Sequence, residues 1–255
     1  MTIDFQNIKK DTLLLNYSFN NNLDNLPLNI KKIIFIEEKR NSKFNKQINN
    51  LPPKLTHLIF QKFSLFNQSV DFLPQNLIHL RFGFNFNKKV DNLPKNLIYL
   101  SFQEYSNFNQ TVNNLPNNLT HLIFGWYFNQ PIELLPKKLE KLVFGWCFNQ
   151  SLHYLPINLK YLTLGVNFNH PLTNIPKKLS HLAFWSHFEH SNNIPSHIEY
   201  LQIFFDDDDK FNKSITNIDS NIKQIILNNN NIKFIKKIPF GCKLIDKKTG
   251  KILNY

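Results

Sequence analysis

Cysteine, glycine and methionine are all scarce in this chain: two cysteines, six glycines and one methionine among 255 residues. Cys147 and Cys242 stand in unrelated contexts with no CxxC pair. That excludes a disulfide-stapled scaffold and a thiolate metal site, and points to a reduced compartment. No glycine cluster forms a phosphate-binding loop, and no H-x-x-x-H spacing occurs. Acidic residues number 18 against 30 lysines and arginines. No paired carboxylates, and no nucleophile, base and orienter set, can be assembled at the inward positions. No apolar run reaches the length of a membrane span, and Met1 to Asp11 lacks the apolar core of a signal peptide. These absences describe an intracellular, cytoplasmic protein that is not an enzyme and carries no cofactor and no metal.

What the chain does contain is a phrase of about twenty residues, repeated. Phe-Asn comes first, then an apolar residue, then Leu-Pro, then Leu-x-x-Leu-x-Phe; one copy runs from Phe128-Asn129 through Ile132, Leu135-Pro136, Leu139 and Leu142 to Phe144. Phe-Asn opens copies at Phe19, Phe44, Phe66, Phe86, Phe108, Phe128, Phe148, Phe168 and Phe211, with Phe188-Glu189 a degenerate copy. The proline recurs at Pro27, Pro52, Pro74, Pro94, Pro116, Pro136, Pro156, Pro176 and Pro195, and Asp219 takes its place in the last copy.

A proline at every period excludes long helices, because an interior proline costs about 3 kcal/mol. The end of each phrase alternates instead, with Leu122 and Phe124 inward and Ile123 outward, as in a short strand buried on one side. Each copy is thus one coil: a short parallel strand, a turn at Phe-Asn and an extended return held by Leu-Pro. One coil cannot bury its own apolar residues, so the coils must stack at about 4.8 Å per strand. The Phe of Phe-Asn should form an aromatic spine, and the Asn a ladder along the turn. The glycines before Trp126 and Trp146 are expected to relieve turn geometry.

These residues resemble the FNIP repeat family, from about Phe19 to Pro195 and more weakly through Ile218. The final copy, Ile222-x-x-Ile225-x-Leu227-x-x-Asn230-x-Ile232, resembles the ordinary leucine-rich pattern. The resemblance implies a mainly β, right-handed leucine-rich-repeat-like solenoid with a parallel concave sheet, coils of 20–25 residues and little helix. The expected division is a capping segment over 1–18, about ten repeats over 19–238, and a cap or tail over 239–255. It also implies protein binding as the task, and an origin in social amoebae or giant viruses. Some members join ubiquitin ligases through an F-box; about eighteen residues before the first Phe-Asn leave no room for one. A ligase substrate receptor without its own F-box is therefore one alternative.

Partner choice should reside where the phrase varies. The outward residue before the second Leu gives a column: Lys32, His57, His79, Tyr99, His121, Lys141, Tyr161, His181, Tyr200 and Gln224. Tyrosine and histidine offer apolar bodies with polar tips, suited to recognition, although they could equally form a solvated ladder. The adjacent His57 and His79 have no carboxylate or cysteine in their column, so no metal site is read there. Four copies are longer in one slot after the strand: Ile36 to Lys43, Gln61 to Leu65, Gln103 to Asn107 and Phe204 to Lys210. Insertions on one edge mark a binding side or are simply tolerated. Trp126, Trp146 and Trp185 sit on that edge, as interface anchors or as lids over the spine. Asp206 to Asp209 reads as a solvated loop.

Net charge is +12. A basic nucleic-acid or anionic-surface binding protein is the other alternative, with Lys137-Lys138 and Lys177-Lys178 forming a basic back. Enrichment in Asn, Lys, Ile and Phe through a nucleotide bias explains the same excess without a ligand. The leading expectation is a scaffold that binds another protein through the Tyr/His column and the edge loops. The oligomeric state is not read from the sequence.

Overall fold

A computed structural model describes residues 8–37, 40–208, 212–216, 218–228 and 231–253. Glu38, Lys39, Asp209, Lys210, Phe211 and Asn230, singled out above, lie outside the described residues, as do Met1 to Asn7, Asn254 and Tyr255. Wherever the phrase reads Leu-x-Phe or its equivalent, the backbone is a short strand. The strands are β1 (Ile8–Lys9), β2 (Thr12–Leu15), β3 (Lys32–Phe35), β4 (His57–Ile59), β5 (His79–Phe82), β6 (Tyr99–Phe102) and β7 (His121–Ile123). They continue as β8 (Lys141–Val143), β9 (Tyr161–Thr163), β10 (His181–Trp185), β11 (Tyr200–Phe204), β12 (Gln224–Leu227) and β13 (Lys243–Asp246).

All thirteen form one sheet in sequence order. β1 and β2 pair antiparallel, turning at Lys10 (φ 62°); every later neighbour is parallel. Helix among the described residues is limited to two 3₁₀ turns, Ser191–Asn193 and Ile232–Phe234. This is the expected mainly β parallel solenoid. Beyond the tenth phrase, β13 extends the sheet, and Ile252 folds back to bridge Ile245 antiparallel.

Register follows the phrase, with Leu58, Leu80, Leu100, Leu122 and Leu142 paired coil to coil. These leucines are fully buried, each contributing about 1.5–3 kcal/mol by leaving water. Behind them run two interleaved columns of phenylalanines. The Phe-Asn rings Phe86, Phe108, Phe128 and Phe148 stack at centroid spacings of 6.1 Å. The strand-end rings Phe82, Phe124 and Phe144 each lie face to face with the Phe-Asn ring four residues later, Phe86, Phe128 and Phe148, at 3.6 Å. The expected spine is therefore double.

The asparagine ladder has a definite direction. The Asn Oδ1 of each coil accepts from the backbone N–H of the next coil's Asn: Asn67 from Asn87 (2.9 Å), Asn87 from Asn109 (3.0 Å), Asn109 from Asn129 (2.9 Å) and Asn129 from Asn149 (2.9 Å). The Gln150 amide also donates to Asn129 Oδ1 at 3.0 Å. Asn129→Ala removes an acceptor from the Asn149 N–H. It should lower stability by about 1–3 kcal/mol in urea denaturation, and by less if water replaces the carbonyl.

The return segment departs from a simple extended run. Each proline carbonyl accepts from the N–H three residues on, as in Leu77 N to Pro74 O and Leu139 N to Pro136 O, both 3.0 Å. The Leu-Pro element is thus a turn that throws the next Leu back into the core. A second amide ladder crosses it: Asn96 donates to Gln75 O (2.9 Å) and Asn118 to Lys95 O (3.0 Å).

Candidate functional site

Alternation in each strand sends two residues to the concave side, one on either flank of the buried Leu. The first set is the column expected from the sequence, and its rings are stacked. Centroid separations are 5.4 Å for His57–His79, 4.1 Å for His79–Tyr99 and 5.9 Å for Tyr99–His121. Lys141 then interrupts the column, which resumes with Tyr161–His181 and His181–Tyr200, both 4.3 Å. The column is therefore two ring stacks with a cation between them.

Hydroxyls placed one residue earlier orient three of the histidines. Thr56 Oγ1 donates to Lys31 O at 3.0 Å and lies 2.9 Å from His57 Nδ1; Thr120 repeats this with Ile98 O (3.2 Å) and His121 Nδ1 (2.8 Å). The hydroxyl proton is committed to a carbonyl, so the ring nitrogen must be the donor to the hydroxyl oxygen. A neutral His57 or His121 consequently keeps Nε2 as an acceptor. Ser180 lies 2.8 Å from His181 Nδ1. The pattern Thr-His, Thr-His, Ser-His is visible in the sequence, but its meaning needs the neighbouring coil's carbonyl.

Burial lowers the pKa of all four histidines, with Lys32 assisting at His57 and Lys141 at His121; Glu140 and Glu199 oppose at His121 and His181. His79, between His57 and Tyr99 and near Arg81, is lowered to about 4 by burial, then His57, then Arg81. An unfolded His79 binds its proton near 6.5, so between pH 6.5 and about 4 the unfolded chain holds more protons than the folded one. Stability should rise with pH through that window and fall as the solution is acidified. Urea midpoints at pH 7 and pH 5 test this, and His79→Gln should flatten the difference.

The second outward set forms a floor: Arg81, Ser101, Ile123, Val143, Thr163, Ala183 and Gln202, paired coil to coil. Over one side stand the tryptophans. Tyr105 meets Trp126 edge-on at 4.3 Å, Trp126 lies 5.3 Å from Trp146, and Trp146 lies 6.0 Å from Trp185. The floor from Arg81 to Thr163 and this aromatic wall enclose an open groove of about 400 Å³. The tryptophans are half-buried, with Trp146 39% exposed.

Trp185 does not stand in the slot of Trp126 and Trp146: it is the last residue of β10, in register with Phe204, and occupies the position of Gly125 and Gly145. Nor do those glycines serve turn geometry, since the positive-φ glycines are Gly241 and Gly250. A Cβ on Gly125 would collide with the Gln103 carbonyl and Ser106, and one on Gly145 with the Gly125 carbonyl and the Trp126 amide. The requirement is close approach of successive coils.

The first three insertions converge. Glu37 pairs with Arg81 and accepts the Lys62 N–H (3.0 Å); Lys62 Nζ lies 3.6 Å from Glu104 and 4.3 Å from the centre of the Tyr105 ring. The fourth stands apart, with Asp206 held by Asn212 and 3.7 Å from His187 Nδ1. On the convex side Lys138 Nζ donates to Asn118 (2.7 Å) and Lys178 Nζ to Asn158 (2.8 Å). Among the described residues no cluster of His, Cys, Asp and Glu could hold a metal ion, and no helix is long and apolar enough to cross a membrane.

Residues 66–105, 107–147 and 148–187 match the FNIP Repeat family. Among solved structures, the chain is similar to CroV588, from the giant virus CroV and described as a novel circular LRR protein, at 33% identity and a TM-score of 0.63. That match covers 85% of this chain and 36% of CroV588. It is also similar to YopM from Yersinia enterocolitica WA-314, at 20% identity and a TM-score of 0.52, over 92% of this chain and 50% of YopM. The chain thus spans about a third and about half of the lengths of these two proteins. No protein of curated function matches it. Repeated Phe-Asn coils, one parallel sheet and these likenesses agree: the chain carries FNIP repeats within residues 66–187, on a leucine-rich-repeat-like solenoid fold.

Proposed function

We propose that this solenoid is a non-catalytic scaffold that binds another protein on its concave side, through the Tyr/His column and the inserted edge loops. The groove between the ring stacks and the tryptophans carries this reading. It offers aromatic and aliphatic surface along several coils, and Tyr161, 43% exposed, lines the hollow beside it. Half-buried rings held by stacking lose little side-chain freedom on binding, so their contacts convert efficiently to affinity. The turn and convex surfaces, by contrast, spend their amides, Lys138 and Lys178 on coil-to-coil hydrogen bonds.

Affinity purification from the native cell, comparing the intact chain with Tyr99→Ala/His121→Ala/Tyr161→Ala, tests the reading. Loss of a specific partner with unchanged circular dichroism supports it. Undiminished capture by the triple variant refutes the concave assignment.

The net charge of +12 supports a second reading, binding to nucleic acid. The ring stacks argue against it, because most ring faces are covered by neighbouring rings and are not open to bases. Duplex and single-strand binding across a salt series decides; no binding near ~50 mM salt removes this reading.

A further inference from the structure

We propose that the concave groove binds an extended peptide segment of another protein, lying along the solenoid axis, with an acidic side chain on Lys141 and apolar side chains against Ile123 and Val143. This rests on the scaffold reading above and specifies the ligand's chemistry.

Charge distribution around the groove points to the acidic residue. In the column beside the rings, bases and acids on adjacent coils neutralise one another: Lys31 with Asp11 (3.5 Å), Lys160 with Glu140 (3.0 Å) and Lys223 with Glu199 (2.8 Å). Arg81 is matched by Glu37 and Lys62 by Glu104. Lys141 has no ion pair among the described residues. It lines a smaller hollow that adjoins the groove on the concave face, in the column between the rings of His121 and Tyr161. A carboxylate there gains a partly desolvated cation and displaces no existing pair. A second copy of this chain, with its own charge of +12, is repelled from the same place.

The floor points to an extended backbone. Ser101 is 4% exposed, lines the groove, and its Oγ has no hydrogen-bond partner among the described residues. Gln202 Nε2 is likewise unpartnered and lines an adjoining hollow of about 160 Å³ that shares Thr163 with the groove. Between these two polar ends lie Ile123, Val143, Thr163 and Ala183. Ser101 is in β6 and Gln202 in β11. Five strand steps of about 4.8 Å separate them, roughly 24 Å, or about seven extended residues. Such a segment would give a carbonyl to each buried donor and apolar side chains to the middle, relieving two unsatisfied groups.

Fluorescence anisotropy of the full chain with two sets of fluorescein-labelled heptapeptides tests this. One set carries Glu at the fourth position among Leu, Val, Pro and Tyr; the other carries Lys there. The Glu set should bind about tenfold more tightly, and Lys141→Glu should reverse the preference. Thr163→Trp, which fills the floor, should abolish both while leaving circular dichroism unchanged. Equal binding of the two sets, preference unaltered by Lys141→Glu, or no binding up to ~1 mM peptide overturns the inference. So does displacement of bound peptide by labelled oligothymidine that itself depends on Lys141. If peptides fail while Tyr99→Ala/His121→Ala/Tyr161→Ala still loses the native partner, the scaffold reading survives and only the ligand class is wrong.

Discussion

Phe128→Ala should destabilise the protein by about 3–5 kcal/mol. The ring has no exposed surface and lies 3.6 Å from Phe124 and 6.1 Å from both Phe108 and Phe148. Its removal leaves a hole in a column whose neighbours are fixed by strand pairing above and below, so little collapse is available to fill it. A solenoid couples each coil mainly to the next. The loss should therefore be greatest around coils 108–148, seen as faster amide exchange there, beside a lower urea midpoint. A change below about 1 kcal/mol would mean the two phenylalanine columns repack freely, contrary to their tight interleaving.

Gly145→Ala should be destabilising by about 1–3 kcal/mol, an unusually large effect for one added methyl. At a permissive site the same change stabilises by about 0.4–1 kcal/mol through the unfolded chain. Here the new Cβ falls inside contact distance of the Gly125 carbonyl and the Trp126 amide nitrogen, both backbone. The coils must part, and the Trp126–Trp146 wall shifts with them. Gly241→Ala is the control: φ is +78° and no atom lies within 4 Å of the added Cβ. Its cost, about 1–2 kcal/mol, is conformational alone. Paired denaturation curves distinguish the two, because only Gly145→Ala should also change tryptophan fluorescence in the native state.

The architecture was legible in the sequence because its cause is local and repeated. Leu58, Leu80 and Leu100 each alternate with outward residues, and each proline forbids helix, so period and alternation suffice to place strands and core. The Phe-Asn ladder was legible for the same reason. Directions and registers were not. That Asn109 Oδ1 takes the N–H of Asn129, or that Pro136 O closes a turn, depends on which atoms face each other once coils stack. The glycines were misread because a sequence shows a glycine's freedom but not its neighbour's carbonyl. At the site, the Tyr/His column was legible as an exception to the phrase. The floor from Ser101 to Gln202 was not, since Ile123 and Val143 look like ordinary sheet residues until the tryptophans stand over them.

Partner recognition, as proposed above, belongs to the concave side and not to the repeated turns and convex edge. Site-specific photocrosslinking tests it most directly. A photoreactive phenylalanine analogue is placed at Tyr161, on the concave rim, or at Leu134, 63% exposed beside the Leu-Pro turn. A covalent adduct with the partner should form from position 161 and none from position 134. Adducts from 134 alone would contradict it.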